Sequence, residues 1–197
     1  MSASATWAGT RLSFGDGSDV DLRRQAVTVS LEYRATEELT LTAGVGAAID
    51  GDITPDGAGT RYELDPGVLG VVGAAYRILQ GEGWEPFLLV SGAASTVTGP
   101  SRLVRGNPAD GITSSRYTGL DLRAGLTVGE VFLDHIAPYA TVRGFGGPIF
   151  WRGLTGSDKF HYQVGAGLLV TTGVIDSGIE LIPFGERSAT FTLATSF

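Results

Sequence analysis

Apolar and small polar side chains alternate with a period of two along much of this chain. In residues 39–50, Leu41, Val45 and Ile49 share one face, while mainly threonine and glycine occupy the other. Successive side chains of a β-strand point to opposite faces, so this pattern predicts strands with one apolar and one small polar face. Ten strands are predicted, over residues 5–14, 25–35, 39–50, 67–78, 86–97, 117–129, 137–146, 159–172, 178–184 and 188–197. The fourth and fifth are apolar on both faces, so the pattern does not orient them.

The composition indicates that little of the surface faces water. Charged residues make up 18% of the chain, and Lys159 is its only lysine. No apolar run reaches the roughly 18 residues that a membrane-spanning helix needs, so any membrane crossing has to be made by strands. The absence of cysteine suits an oxidising compartment. A net charge of −7 argues against a nucleic-acid partner.

The connections between the predicted strands are alternately long and short. The short ones, 36–38, 79–85, 130–136 and 173–177, would lie on the periplasmic side with both termini, because outer-membrane barrels keep periplasmic turns short. The long, Asp/Gly/Arg-rich loops would face outward. Only the last connection, Gly185-Glu186-Arg187, breaks this rule.

Alternation alone does not decide which face points inward, and a soluble lipocalin-like ligand-binding barrel is the alternative. Aromatic residues favour the membrane, because a bilayer selects two aromatic girdles around an aliphatic band. One girdle is predicted at the periplasmic end, from Trp7, Tyr33, Tyr76, Trp84, Phe87, Phe132, Tyr139 and Phe197. The other is predicted at the outer end, from Phe14, Tyr62, Tyr117, Phe145, Phe150, Trp151, Phe160, Tyr162 and Phe184. We therefore predict an all-β fold, a closed antiparallel up-and-down transmembrane β-barrel of about ten strands, as one domain over residues 1–197.

The chain resembles the small bacterial outer-membrane β-barrel proteins of the OmpA/OmpW-like type. The resemblance rests on the last strand, which ends in Phe197, and on segments such as 42–46, 123–126 and 164–168. It implies a bacterial outer-membrane location and recognition of the last strand, with Phe191 and Phe197, by the barrel-assembly machinery. The small residues Ala3-Ser4-Ala5 have the form of a cleavage site, so we expect a mature exported chain with an added initiator Met.

Charged residues on the predicted inner face are the candidate functional residues. We expect a lumen ion-pair network formed by Arg11, Glu32, Arg34, Arg77, Asp121, Arg123, Arg143, His161 and Glu180, with Asp50 on the same face. Buried charges must pair, and arginine suits bidentate pairing with carboxylates. Two functions stay open: a closed structural barrel that could scaffold a partner protein of the envelope, and a narrow pore for small solutes.

An outer-membrane enzyme acting on lipid or peptide at the barrel rim is a further alternative. His161 and Asp121 would lie near the outer rim, but on strands that are not adjacent, and no Gly-x-Ser-x-Gly or zincin motif is present. We therefore expect no catalytic activity, no cofactor and no metal. The expected partners are outer-membrane lipid and lipopolysaccharide, whose anionic headgroups suit arginine on the outer loops.

Overall fold

The computed structural model describes residues 1–57, 59–81, 85–108 and 111–195. Strands alternate with turns and short loops throughout these residues. Within these residues, no helix is long and apolar enough to cross a membrane. The strands are β1 (Ser2–Phe14), β2 (Asp19–Arg34), β3 (Leu39–Pro55), β4 (Arg61–Leu64), β5 (Gly67–Gln80), β6 (Phe87–Arg105), β7 (Ser114–Gly129), β8 (Ile136–Gly146), β9 (Ile149–Trp151), β10 (Leu154–Asp158), β11 (Tyr162–Thr171), β12 (Ile175–Gly185) and β13 (Arg187–Thr195).

Ten of these strands close into a ring of antiparallel neighbours. The ring runs β1-β2-β3-β5-β6-β7-β8-β11-β12-β13 and returns to β1, where Ser2 to Gly9 pair with Ala194 to Arg187. The predicted closed up-and-down barrel of about ten strands is therefore confirmed. The first and last strands pair with each other, so neither is left as an open sheet edge.

A second, smaller ring continues the sheet beyond the outer end of the first. Here β4 takes the place of β5 between β3 and β6, while the β9–β10 hairpin joins β7 to the upper end of β1. The outer ring therefore has eight strands. The sequence pattern placed β4, β9 and β10 in long loops, because each is too short for its alternation to be recognised. Because β12 and β13 are joined by a short turn at Glu186, their outer ends lie low on the barrel wall. Above that turn, β10 takes their place beside β1.

Apolar side chains cover the outside of the ten-stranded ring. Leu31, Val45 and Leu122 are 64–70% exposed, and their strand neighbours on the other face are small or polar. The structure also orients the two strands that the sequence left open. Val68, Val72 and Tyr76 of β5 point outward, and Val90 of β6 pairs with Tyr76 on the same face. The barrel therefore presents an apolar band suited to lipid.

A bulge in β3 changes the orientation of the residues above it. Gln25 pairs with Asp50, whereas Ala26 pairs with Ala48, so Ile49 is the additional residue. Both Ile49 and Asp50 are exposed on the outer face, and the prediction that Asp50 faces the lumen is wrong. A one-residue shift in a period-two pattern reverses every later side chain.

The aromatic girdles are only partly as predicted. Tyr33, Tyr76 and Phe132 are exposed toward the periplasmic end, and Phe150, Phe160, Tyr162 and Phe184 are exposed toward the outer end. Trp7 lies beside Phe160, Tyr162 and Phe184 and so belongs to the outer girdle. The structure buries five predicted outer-girdle residues, Phe14, Tyr62, Tyr117, Phe145 and Trp151, and turns Tyr139 inward. Trp84 and Phe197 lie outside the described residues.

Candidate functional site

The outer end of the lumen is filled by an apolar core, which we call the outer plug. Its buried members are Leu12, Phe14, Val20, Leu22, Ala48, Ile53, Tyr62, Leu64, Val97, Tyr117, Ile149 and Trp151. They are inward-facing residues of the eight-stranded ring. Leu12, Ile53 and Tyr62 have no exposed surface. Side chains can fill the interior of an eight-stranded barrel, and these residues occupy it at the outer end.

Trp151 of β9 is the central contact of the outer plug. Its indole meets the Tyr62 ring edge-on with 5.0 Å between centroids, and the Phe14 ring lies 6.0 Å away. The indole Nε1 donates a hydrogen bond of 3.0 Å to the Ser101 hydroxyl, which is itself buried. Trp151 therefore fastens the β9–β10 hairpin across the end of the lumen through packing and one satisfied polar group.

Below the plug, Arg123 of β7 holds a cluster of polar side chains. Its guanidinium is ion-paired with Asp121, and its Nη2 donates to the Glu186 carboxylate at 2.9 Å. Gln163 of β11 accepts a bond from Arg123 at 3.3 Å and donates to Glu186 at 2.8 Å. The guanidinium carbon also lies 5.1 Å from the centroid of the Phe145 ring. We call these residues the Arg123 cluster.

A second polar cluster lies on the inner wall and joins β8 to β12 over the intervening strand β11. Arg143 donates two hydrogen bonds to Glu180, of 2.8 and 2.6 Å, one to each carboxylate oxygen. The Tyr139 hydroxyl donates to the same carboxylate at 3.2 Å. This bidentate geometry is the strong form of an arginine–carboxylate pair. Arg143 and Tyr139 point inward on alternate residues of β8, and Glu180 faces them across β11.

Small residues beside these long side chains give them room. Gly125 is the β7 partner of Arg143, and a Cβ at that glycine would lie 2.7 Å from the Cγ of Arg143. Gly167 is the β11 partner of Tyr139, and a Cβ there would collide with the phenol ring. The glycines on the inner face thus allow two large side chains to lie across a narrow lumen.

Four of the predicted network residues are brought together as ion pairs. Asp121 and Arg123 form one pair, and Arg143 and Glu180 form the other. Glu32, Arg34 and Arg77 are on inward positions but lie at the periplasmic mouth. There they contact Ser2, the Glu37 carbonyl and Gln80 respectively.

Two predicted network residues lie elsewhere. Arg11 shares the outward face of β1 with Trp7 and pairs with Asp19 and Asp56, so the prediction that it faces the lumen is wrong. The outward face of β1 is apolar from Ala3 to Trp7 and becomes charged at Arg11, where the outside of the barrel meets water. His161 is exposed just before β11 begins and does not join either cluster, so its predicted place in the network is also wrong.

The sequence analysis missed three lumen residues. Glu186 lies in the one short outer turn and is 5% exposed, because the turn folds inward beneath β10. Gln163 is uncharged, so it was not among the ionisable residues of the predicted network. Asp158 accepts a hydrogen bond of 2.9 Å from Thr10 and is buried at the end of β10. The only sequence signal for this arrangement was that the 185–187 connection is short where the alternation predicts a long outer loop.

One small cavity separates the outer plug from the Arg123 cluster. A cavity of about 40 Å³ lies between the plug and the Arg123 cluster, lined by residues that include Arg24, Tyr117, Asp121, Asp158 and Glu186. Among the described residues, no group of three or more His, Cys, Asp or Glu side chains could hold a metal ion. The lumen thus combines an apolar seal with two layers of paired charge.

The barrel is similar to solved bacterial outer-membrane proteins. The translocator domain of the autotransporter NalP from Neisseria meningitidis superposes with a TM-score of 0.52 at 15% identity, over 100% of this chain and 87% of that one. The transport unit of the autotransporter AIDA-I from Escherichia coli has a TM-score of 0.48 and 11% identity, over 100% and 89% of the two chains. The outer membrane protease OmpT from Escherichia coli has a TM-score of 0.48 and 10% identity, over 98% and 93%.

No protein-family model and no curated protein matches the chain. At 15% identity, the similarity to the NalP translocator concerns the fold. Together with the outward apolar band, it confirms the predicted type of barrel, while the narrower OmpA/OmpW-like type stays a prediction. The chain therefore has the fold of the transmembrane β-barrels of the bacterial outer membrane.

Proposed function

We propose that this chain is a closed, non-conducting barrel of the bacterial outer membrane, with a structural or scaffolding role. The outer plug is the observation that carries the proposal. Twelve buried residues, with one tilted and one edge-on aromatic contact, fill the eight-stranded end, and a pore would have to expel them into water. Burial of that apolar surface is worth roughly 25 cal/mol per Å², so spontaneous opening is strongly disfavoured.

The two charge layers support the same function. The Arg143–Glu180 pair joins β8 to β12 over the inner face of β11, and Arg123 links β7 to Glu186 in the turn between β12 and β13. Each guanidinium is held by more than one hydrogen bond, so the side chains are fixed in the lumen rather than lining a free passage. A scaffold needs such rigidity, because its outer surfaces must keep one shape for lipid or protein neighbours.

Conductance across planar bilayers tests the proposal. The refolded wild-type barrel is expected to insert without producing current steps. A variant in which residues 147–158 are replaced by a short Gly-Ser linker removes the β9–β10 hairpin, and it is expected to produce discrete steps because the plug loses Ile149 and Trp151. Heat-modifiable migration on a gel verifies that each barrel is closed.

Phe150→Ala provides the matched control, because Phe150 is the exposed residue between these two. It is expected to remain silent, like the wild type. Current steps from the wild-type barrel would overturn the closed-barrel proposal in favour of a narrow pore. Silence of a correctly folded hairpin-less variant would show that the hairpin is not the seal.

A further inference from the structure

A groove runs down the outside of the barrel along β1. Its floor is made by Ala3 and Ala5, which point outward. Ala5 pairs with Val27 on one side and Phe191 on the other, and Ala3 pairs with Val29 and Leu193. The large side chains of β2 and β13 therefore form two walls above a floor of methyl groups. The resulting apolar space measures about 610 Å³.

Further spaces lie along β1 toward the outer end, on either side of the exposed Trp7 side chain. A second space of about 300 Å³ shares Ala5, Val27 and Phe191 with the first and reaches Trp7. A third, of about 510 Å³, begins at Trp7 and is bordered by Phe160, Tyr162 and Phe184. These rings belong to the outer girdle, so the third space lies at the level of the lipid headgroups.

Two arginines flank the upper end of the groove. Gly9 of β1 pairs with Arg23 on β2 and with Arg187 on β13, and all three face outward. Neighbouring strands lie about 4.8 Å apart, so the two arginine Cα atoms are separated by about 10 Å. Gly9 contributes no side chain of its own, and the tip of the Trp7 indole lies beside it, 3.7 Å from where a Cβ would stand. The two guanidinium groups can therefore converge above this indole.

Arg23 and Arg187 form no ion pair among the described residues, and Asp52, the β3 strand partner of Arg23, is itself ion-paired with Arg61. By contrast, Arg11, one step higher, is paired with Asp19 and Asp56. Asp21 also borders the space, as the strand partner of Arg11. Two unpaired cations above an apolar groove complement an anionic group that carries long hydrocarbon chains.

We propose that this groove binds one phosphorylated, multiply acylated lipid of the outer leaflet. A phosphate of the headgroup lies between Arg23 and Arg187, over Gly9. The aromatic rings beside it contact the sugar or glycerol backbone, and acyl chains lie along Ala5 and Ala3. This site is on the outside of the barrel and is independent of the closed lumen. The lipid would fix the orientation of the outer rim in the membrane.

Native mass spectrometry of the detergent-refolded barrel tests the proposal, with diphosphorylated lipid A and zwitterionic phosphatidylethanolamine as probes. The wild type is expected to retain one lipid A molecule at least tenfold more tightly than phosphatidylethanolamine. The double variant R23Q/R187Q is expected to lose most of this preference, because it removes both charge-assisted contacts. R105Q/R116Q, which removes two other exposed arginines at the outer end, is expected to keep it.

A second variant separates the groove from the charges. Ala5→Leu fills the floor, and it is expected to weaken both lipids severalfold while leaving their ratio unchanged. Its control is Ala124→Leu, which adds the same side chain to the outward face of β7 on the opposite wall. Heat-modifiable migration shows that each variant folds. Equal retention of both lipids by the wild type, or lipid A retention by R23Q/R187Q equal to that by R105Q/R116Q, would overturn the phosphate site. Identical behaviour of the two leucine variants would overturn the groove.

Discussion

The two rings of the barrel are filled by different kinds of side chain. In the outer, eight-stranded ring, inward side chains are large and apolar, and they pack as the core of a soluble protein would. In the ten-stranded ring, the inner face carries glycine, threonine and serine, and the space is crossed by Arg123 and Arg143 with their carboxylate partners. One continuous sheet therefore contains an apolar seal and a polar filling.

Strand number explains much of this difference. The interior of a barrel widens with each added strand, and about eight strands leave a space that ordinary side chains fill. Two more strands open a wider channel, which long arginine side chains can span. Charged side chains are tolerated there because each is paired and the lumen keeps some contact with water. The plug is thus expected to be the more sensitive of the two regions to truncation.

Trp151→Ala is expected to have the largest effect. It removes an indole that is 3% exposed, two ring contacts and the hydrogen bond to Ser101. Large-to-small substitutions of this kind cost about 4 kcal/mol in the free energy of unfolding. Urea unfolding of the detergent-refolded barrel, followed by heat-modifiable migration, measures the loss. Phe150→Ala, one residue away but exposed, is expected to change it little, and equal losses for both variants would contradict the packing role of Trp151.

Arg143→Ala is expected to rank second. It leaves Glu180 in the lumen without its bidentate partner, and an orphaned buried carboxylate costs about 3 kcal/mol. The double variant R143M/E180Q removes both charges and is expected to recover much of the lost stability. The free energies of unfolding of R143M, E180Q and the double variant together give the coupling energy of the pair. Additive losses would indicate that the pair contributes no interaction to the polar filling.

The sequence predicted the ten-stranded ring better than its outer end. Strands such as β7 show unbroken alternation from Tyr117 to Gly129, so their faces could be assigned without knowing their neighbours. The bulge at Ile49 adds one residue and inverts the pattern above it, and nothing in the local sequence announces it. Pairing between β10 and β1 joins segments about 145 residues apart, which period and propensity do not encode.

The candidate site was predictable in the same uneven way. Arg143 and Glu180 were found because each lies on the polar face of a regular strand. Glu186 was missed because it lies in a turn, and its inward position depends on β12 and β13 ending below β10. Phe145 and Trp151 were assigned to a girdle because an aromatic residue near a strand end satisfies both a lipid interface and an inner core.

The pH dependence of the outer end provides a smaller test. Asp158 belongs to β10, which lies outside the ten-stranded ring, and burial raises the pKa of its carboxyl from 3.8 to about 6. The Thr10 hydrogen bond opposes this shift, and the carboxylates of Glu186 and Asp121 add to it. Since the folded state holds the proton more tightly, the stabilisation is complete below pH 4 and is lost as the pH rises through about 6. The wild type is therefore expected to melt at a higher temperature at pH 5 than at pH 8.

Asp158→Asn distinguishes this carboxyl from the other titrating groups. The amide cannot ionise, so the difference in melting temperature between pH 5 and pH 8 is expected to shrink. His161→Gln is the control, because His161 is close in sequence but is exposed and lies outside both clusters. An unchanged pH dependence in Asp158→Asn would exclude this carboxyl as its source.

Arg77→Ala is expected to have the smallest effect and defines the lower limit of the polar filling. Arg77 faces inward like Arg143, but it lies at the periplasmic mouth, where its only side-chain hydrogen bond among the described residues is one of 3.4 Å to Gln80. An arginine without a carboxylate partner at an open mouth stays hydrated, so its removal should change the free energy of unfolding by less than about 0.5 kcal/mol. Urea unfolding beside Arg143→Ala measures the contrast directly. We expect arginine to stabilise this barrel only where a carboxylate holds it. A loss of unfolding free energy in Arg77→Ala as large as that in Arg143→Ala would contradict this and would mean that the charged filling extends through the mouth.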